Sequence, residues 1–219
     1  MGAAVGTVPM VTGQWPNVLA KLLASVDTEV VPKIAEVKAG VHYRRLESDL
    51  SKEGTRRVLS ALQRPEILDL LQVDPLESIV IARLPAKGES AYYDWGEKTV
   101  TVNSAGKLGV YYGAAFEPGV TRNMSGATMD KMESMRRALL QELAHHLENV
   151  SDGVKAAVKA GYESATRRPI TRYAAEGGPQ EYFAESFVAY IVEPKVLASY
   201  DPNGSIMVKK ALAASRKAR

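Results

Sequence analysis

The 219-residue chain contains no cysteine. That excludes a disulfide framework, a thiolate nucleophile and a cysteine-ligated metal, and it fits a reducing compartment. Histidine is nearly as scarce, with only His42, His145 and His146 present. An imidazole-based site therefore has to use the 145–146 pair. Long apolar runs are missing too, and none approaches the roughly 18 residues of a membrane-spanning helix. The start, Met1-Gly2-Ala3-Ala4-Val5-Gly6, lacks the charged and apolar segments of a secretory signal. Gly6 also stands where a myristoylation pattern has Ser or Thr. Glycine-rich phosphate loops and a nucleophile elbow are absent as well. No membrane partner is expected.

What is present is ordinary for a globular protein: 46% hydrophobic and 24% charged residues, enough apolar matter for one sizeable core. Net charge is +3, which is mildly basic. The bases are denser near the end, at Lys209-Lys210 and at Arg216, Lys217 and Arg219. A basic tail of that kind is expected to be solvated, with at most a weak nucleic-acid contact. Residues 1–15, rich in Gly, Val and Thr, read as an extended arm. Residues 16–75 read as a helical region, 76–200 as the main domain and 201–219 as a basic helix or tail.

Within that frame the apolar spacing predicts helices from Pro16 to about Val37, broken at Pro32, and over 53–72, divided near Pro65. His42-Tyr43-Arg44-Arg45 reads as a solvated loop or helix start. Ile79–Leu84, Ala91–Trp95 and Thr99–Asn103 read as strands, the last two joined by a Gly96-Glu97 turn, with a further short strand over Leu108–Tyr112. Residues 113–127 read as a loop. Helices are predicted over 128–149 with Thr128 as cap, over 152–165, over Gln180–Val192 opened by Pro179, and over 205–218. A loop is expected at 167–180. Helices, a small meander sheet, then helices make an α+β fold.

Chemistry concentrates in Gln141-Glu142-Leu143-Ala144-His145-His146. On a helix Gln141 and His145 fall about 40° apart, roughly opposite the apolar stripe of Met132, Met135, Leu139, Leu140, Leu143 and Leu147. His145 is therefore expected to face water or a cleft, and His146 to turn towards the apolar side. In Glu181-Tyr182-Phe183-Ala184-Glu185-Ser186-Phe187, the stripe Phe183, Phe187, Tyr190 and Ile191 leaves Glu181 and Glu185 sharing the other face. Like charges at that spacing repel. Either that face is solvated, with Arg167, Arg168 or Arg172 as partners, or the carboxylates serve a metal site.

His-Glu-x-x-His on a helix is the zincin signature: two imidazoles one turn apart hold zinc, and the Glu is the general base. Gln141-Glu142-x-x-His145 followed by Glu181-Tyr-Phe-Ala-Glu185-Ser-Phe resembles the anthrax-lethal-factor-like zincins and the related domains of phage minor head proteins. The resemblance covers about residues 91–193. It implies a zincin-like fold, a small, mostly antiparallel sheet packed on the active-site helix and C-terminal helices. It also implies that His145 and Glu181 are metal ligands, with Gln141 at the remaining ligand position. Glu142 would be the base, Tyr173 the donor to the developing oxyanion, and Glu185 the carboxylate that orients a ligand imidazole.

Gln141 departs from that pattern. An amide oxygen is a weaker zinc donor than an imidazole nitrogen, so zinc is expected to bind weakly or not at all. Without it there is no metal-activated water for Glu142. Three readings stay open. The chain is a non-catalytic zincin-like domain with a structural role, an active zinc metallopeptidase with a Gln-His-Glu site, or an unrelated α+β interaction domain. The first carries a concrete expectation: an assembly protein with protein partners, a phage virion component near the head–tail junction, located in the virion or the host cytoplasm.

Overall fold

The computed structural model of the protein describes residues 42–46, 50–64, 66–67, 76–82, 91–104 and 130–217. The arm at 1–15, the helices expected between Pro16 and Val37, the strand at Leu108–Tyr112 and the loop at 113–127 lie outside these. Among the described residues no helix is long and apolar enough to cross a membrane.

The fold is α+β, with one mixed sheet and a larger body of helices among the described residues. Strand β1 (His42–Leu46) is followed by helix α1 (Lys52–Leu59), which runs into a 3-10 turn at Ser60–Gln63. Strands β2 (Ser78–Ala82), β3 (Ala91–Asp94) and β4 (Thr99–Asn103) come next. Among the described residues six helices follow: α2 (Lys131–Val150), α3 (Asp152–Tyr162), α4 (Arg172–Glu176), α5 (Gly178–Val192), α6 (Pro194–Tyr200) and α7 (Pro202–Lys217).

The sheet corrects the sequence reading in three ways. Its order is β1-β2-β4-β3, and β1–β2 and β2–β4 are parallel, with only β3–β4 antiparallel. It is therefore mixed rather than mostly antiparallel. Strand β4 inserts between β2 and β3, so the run of three strands is not a meander. The segment at 42–46 is itself a strand, paired from His42↔Ser78 to Leu46↔Ala82, not a loop or helix start. Its pairing partner is distant in sequence, which a local pattern does not report. Strand β2, with a neighbour on each side, is buried at all five positions, as its unbroken Ser-Ile-Val-Ile-Ala run suits.

The β3–β4 hairpin follows from its turn chemistry. Asp94 Oδ1 accepts from the backbone N–H of Gly96 and of Glu97, each at 2.9 Å. Lys98 closes the turn at φ 46°, the left-handed region that lets the chain reverse.

Helix α2 is the centre of the fold, packed on β3, β4, α1, α3 and α5. Its cap is Asp130, two residues later than the expected Thr128: the Asp130 side chain accepts from Glu133 N at 2.9 Å. Helix α5 crosses it with Tyr182, Phe183 and Phe187 fully buried. Two helices fall in stretches read as irregular or unassigned. Thr171 caps α4 by accepting from Ala174 N at 3.0 Å, and Pro194 opens α6. Helix α7 is less a tail than part of the core. Met207, Val208, Ala211 and Leu212 join the main hydrophobic cluster, and α7 packs on α3 and α5. Its start is fixed by buried Asp201, which accepts from Gly204 N at 3.0 Å and from the Tyr182 hydroxyl at 2.7 Å.

Candidate functional site

A cleft of about 330 Å³ opens where β3, α2, α4 and α5 meet. Helix α2 supplies Gln141, Glu142 and His145, helix α4 supplies Tyr173, and α5 supplies Glu181 with Gln180. Strand β3 and its turn form the opposite wall through Tyr92, Tyr93 and Trp95. The helical wheel left His145 facing water or a cleft, and the fold makes it a cleft: His145 is 8% exposed, Gln141 4% and Glu142 7%.

Glu181 is the hub. Gln141 Nε2 donates to Glu181 Oε2 at 3.0 Å, and His145 Nε2 lies 3.5 Å from the same oxygen. The Tyr173 hydroxyl also hydrogen-bonds this carboxylate. Burial raises the Glu181 carboxyl's pKa, but its bonds to His145, Gln141 and Tyr173 outweigh burial and hold it below the usual range. The same contact acts in reverse on His145. Burial disfavours the imidazolium, yet Glu181 with Glu142 and Glu148 nearby raises its pKa above the ordinary value. Burial and the Glu181 charge push the Tyr173 phenol upward, so it stays a donor.

Glu185 sits one turn further along α5 and is 3% exposed. Burial pushes its carboxyl up to about 8, with the Thr171 hydroxyl's hydrogen bond working against that rise. It is therefore mostly neutral at pH 7, and its contact is to the residue that caps α4. Thr171 thus links α5 to the helix that carries Tyr173. His145 Nδ1 is buried with no hydrogen-bond partner among the described residues. Arg167, Arg168 and Arg172, possible partners of the two glutamates, go elsewhere. Arg167 lies over the Tyr162 ring at 3.7 Å, Arg168 over Tyr200 at 4.8 Å, and Arg172 pairs with Glu176 at 2.8 Å.

The corner before α5 brings Tyr173 and Glu181 together. Gly178 has φ 85°, which favours glycine, and Pro179 follows in the first turn of the helix. At Gly177 a Cβ would lie 2.5 Å from Glu181 Cγ and 3.0 Å from the Tyr173 carbonyl. The absence of a side chain there lets Glu181 lean back over α4.

His146 turns away from the cleft and is fully buried. Its Nδ1 lies 2.9 Å from the Tyr93 hydroxyl, which also accepts from Asn149 Nδ2 at 3.4 Å. Tyr93 in turn supports Trp95, with ring centroids 5.5 Å apart. The aromatic wall and Gln180 were not identified from the sequence. The only signal was three aromatic residues among Ala91–Trp95, which is equally the composition of a buried strand.

The fit to zinc is partial. Two ligands of a tetrahedral zinc lie about 3.3 Å apart, which suits His145 Nε2 and Glu181 Oε2 at 3.5 Å. Gln141 does not fit. It turns its N–H, which has no lone pair for a metal, onto the carboxylate, and its oxygen is a weak zinc donor. Among the described residues no three of His, Cys, Asp and Glu cluster as a metal site.

No family model, curated protein or solved structure matches the chain.

Proposed function

We propose that this is a zincin-like domain in which hydrolysis has given way to binding: a non-catalytic cleft that holds a peptide segment of a protein partner. The observation that carries this reading is the Gln141 Nε2 to Glu181 Oε2 hydrogen bond at 3.0 Å. In a zinc site that carboxylate would be satisfied by the metal. Here Gln141, His145 and Tyr173 satisfy it from within the protein. The general base position, Glu142, is kept, but a base needs an activated water to act on.

Strand β3 supports the binding half of the proposal. Among the described residues it pairs with β4 alone, and its other edge lies beside the cleft. An extended peptide can add to such an edge through backbone hydrogen bonds. The sequence resemblance to phage head-protein domains extends the proposal to an assembly role, with other virion proteins as partners.

Metal analysis and a peptidase assay test this directly. The protein purified in zinc-containing buffer is expected to hold well under one equivalent of zinc after dialysis and to leave a peptide library uncut. Stoichiometric zinc together with cleavage would instead establish the Gln-His-Glu metallopeptidase.

A further inference from the structure

The walls of the cleft define the chemistry of an occupant more narrowly than the fold does. Three of its aromatic side chains keep large exposed areas, 41% for Tyr92, 46% for Trp95 and 38% for Tyr173. Two carboxylates, Glu142 and Glu181, lie among them. The chain carries a net charge of +3, yet none of the described residues lining the cleft is Lys or Arg, and the basic group there is the His145 imidazole, 3.5 Å from Glu181. We propose that the cleft receives one lysine or arginine side chain of a bound peptide, its cationic head over the ring faces of Trp95, Tyr92 and Tyr173 and beside Glu142 and Glu181. This rests on the reading of the cleft as a peptide-binding site.

Aromatic faces carry negative potential and attract ammonium or guanidinium groups, more strongly where water is excluded. An apolar side chain in the same place would strip water from the carboxylates and offer no counter-charge. An acidic side chain would meet like charge. The cavity, about 330 Å³, is at the small end of ligand pockets, with room for one long side chain rather than a folded element.

The wall is also held in place before anything binds. Tyr93 is held by His146 at 2.9 Å, and Trp95 leans on the Tyr93 ring at 5.5 Å. Tyr173 is tied to Glu181 through its hydroxyl. A site whose side chains are already ordered loses less entropy on binding.

The test uses libraries of short peptides with one central residue fixed as Lys, Arg, norleucine or Glu, passed over the immobilised full chain. Trp95→Ala, Trp95→Phe and Glu181→Gln chains run in parallel. Trp95 is nearly half exposed, so its replacement leaves the core intact. The Lys and Arg pools are expected to be retained at least about tenfold over the norleucine and Glu pools. That preference should collapse in Trp95→Ala and in Glu181→Gln and persist in Trp95→Phe. Equal retention of the norleucine pool would overturn the cationic assignment and leave a peptide-binding cleft standing. A Lys preference untouched by Trp95→Ala and Glu181→Gln would place the basic contact elsewhere and overturn this site. Cleavage of the peptides, or retention of no pool at all, would overturn the binding reading and this inference with it.

Discussion

Gln141 and Glu181, on two different helices, share a hydrogen bond of 3.0 Å in which the amide nitrogen donates to the carboxylate. A metal ligand would present a lone pair at that place. Gln141 instead presents a hydrogen to Glu181, and the two side chains satisfy one another within the protein.

Placing an imidazole at position 141 should reverse this. Gln141→His is expected to raise zinc affinity at least about 100-fold, since losing even an outer partner of a metal ligand costs about 10–100-fold. His145 and Glu181 are already spaced to share the ion at 3.5 Å. Competition with a fluorescent zinc chelator measures the change, and unchanged affinity would show that the helices do not present these residues to a common point.

The two adjacent glycines should behave differently. Gly177→Ala places a Cβ 2.5 Å from Glu181 Cγ and must move that side chain, with a stability loss of about 1–3 kcal/mol and a broken Gln141–Glu181 bond. Gly178→Ala meets nothing within 4 Å, but its φ of 85° is strained for alanine, costing about 1–2 kcal/mol with the cleft preserved. Urea midpoints give the stabilities, and Trp95 fluorescence in a Trp15→Phe background reports the cleft. If Gly177→Ala leaves that emission untouched, Glu181 has room that the geometry denies.

The C-terminal helix depends on one buried polar knot. Tyr182→Phe removes a donor 2.7 Å from Asp201 and an acceptor 3.1 Å from Asn203 Nδ2. A loss of about 1–3 kcal/mol follows, because buried polar groups lose a partner while packing is unchanged. Thermal melts compare it with Tyr190→Phe, where the ring is only partly buried. Equal losses would mean that the hydroxyl bond contributes nothing specific.

Acid should loosen the start of α2. Burial raises the Glu133 carboxyl's pKa, but Arg136 at 2.9 Å and Arg137 at 3.0 Å outweigh burial and lower it. A carboxyl whose folded pKa is lowered contributes stability above its unfolded value, near 4.5, and loses it as pH falls through the folded value. Glu133→Gln is therefore expected to cost about 1 kcal/mol at neutral pH, modest because the group is partly exposed, and almost nothing near pH 3. Urea unfolding at both values checks this. A loss of equal size in acid would assign the effect to packing instead of charge.

Much of the local structure was legible in the sequence. The hairpin at Asp94–Lys98 follows from an Asp two residues ahead of a Gly, and α5 from a Pro at its start and a four-residue aromatic period. The helical wheel separated His145 from His146, and the fold sends one to the cleft and the other to Tyr93. The parallel pairing of β1 was not legible, because its partner lies more than thirty residues away and its own pattern is charged, His-Tyr-Arg-Arg-Leu. Nor was Thr128's displacement by Asp130: either residue type can cap, and only the backbone's turn into the helix chooses between them.

The sequence by itself determined which side chains could do chemistry here. With no cysteine and three histidines, the choice narrowed to the turn that begins at Gln141. Residue spacing within α2 and α5 placed Gln141 with His145, and Glu181 with Glu185, because helical periodicity is a local property. Tertiary structure alone decided what those pairs face. Contact between α2 and α5 brought Glu181 to Gln141, and the corner at Gly177 and Gly178 brought Tyr173 to both. The place of β3 at the sheet edge set an aromatic wall opposite them. Crossing distances between helices and strand order come from the packing of the whole core. A sequence records the groups that can meet, and the core decides which of them do.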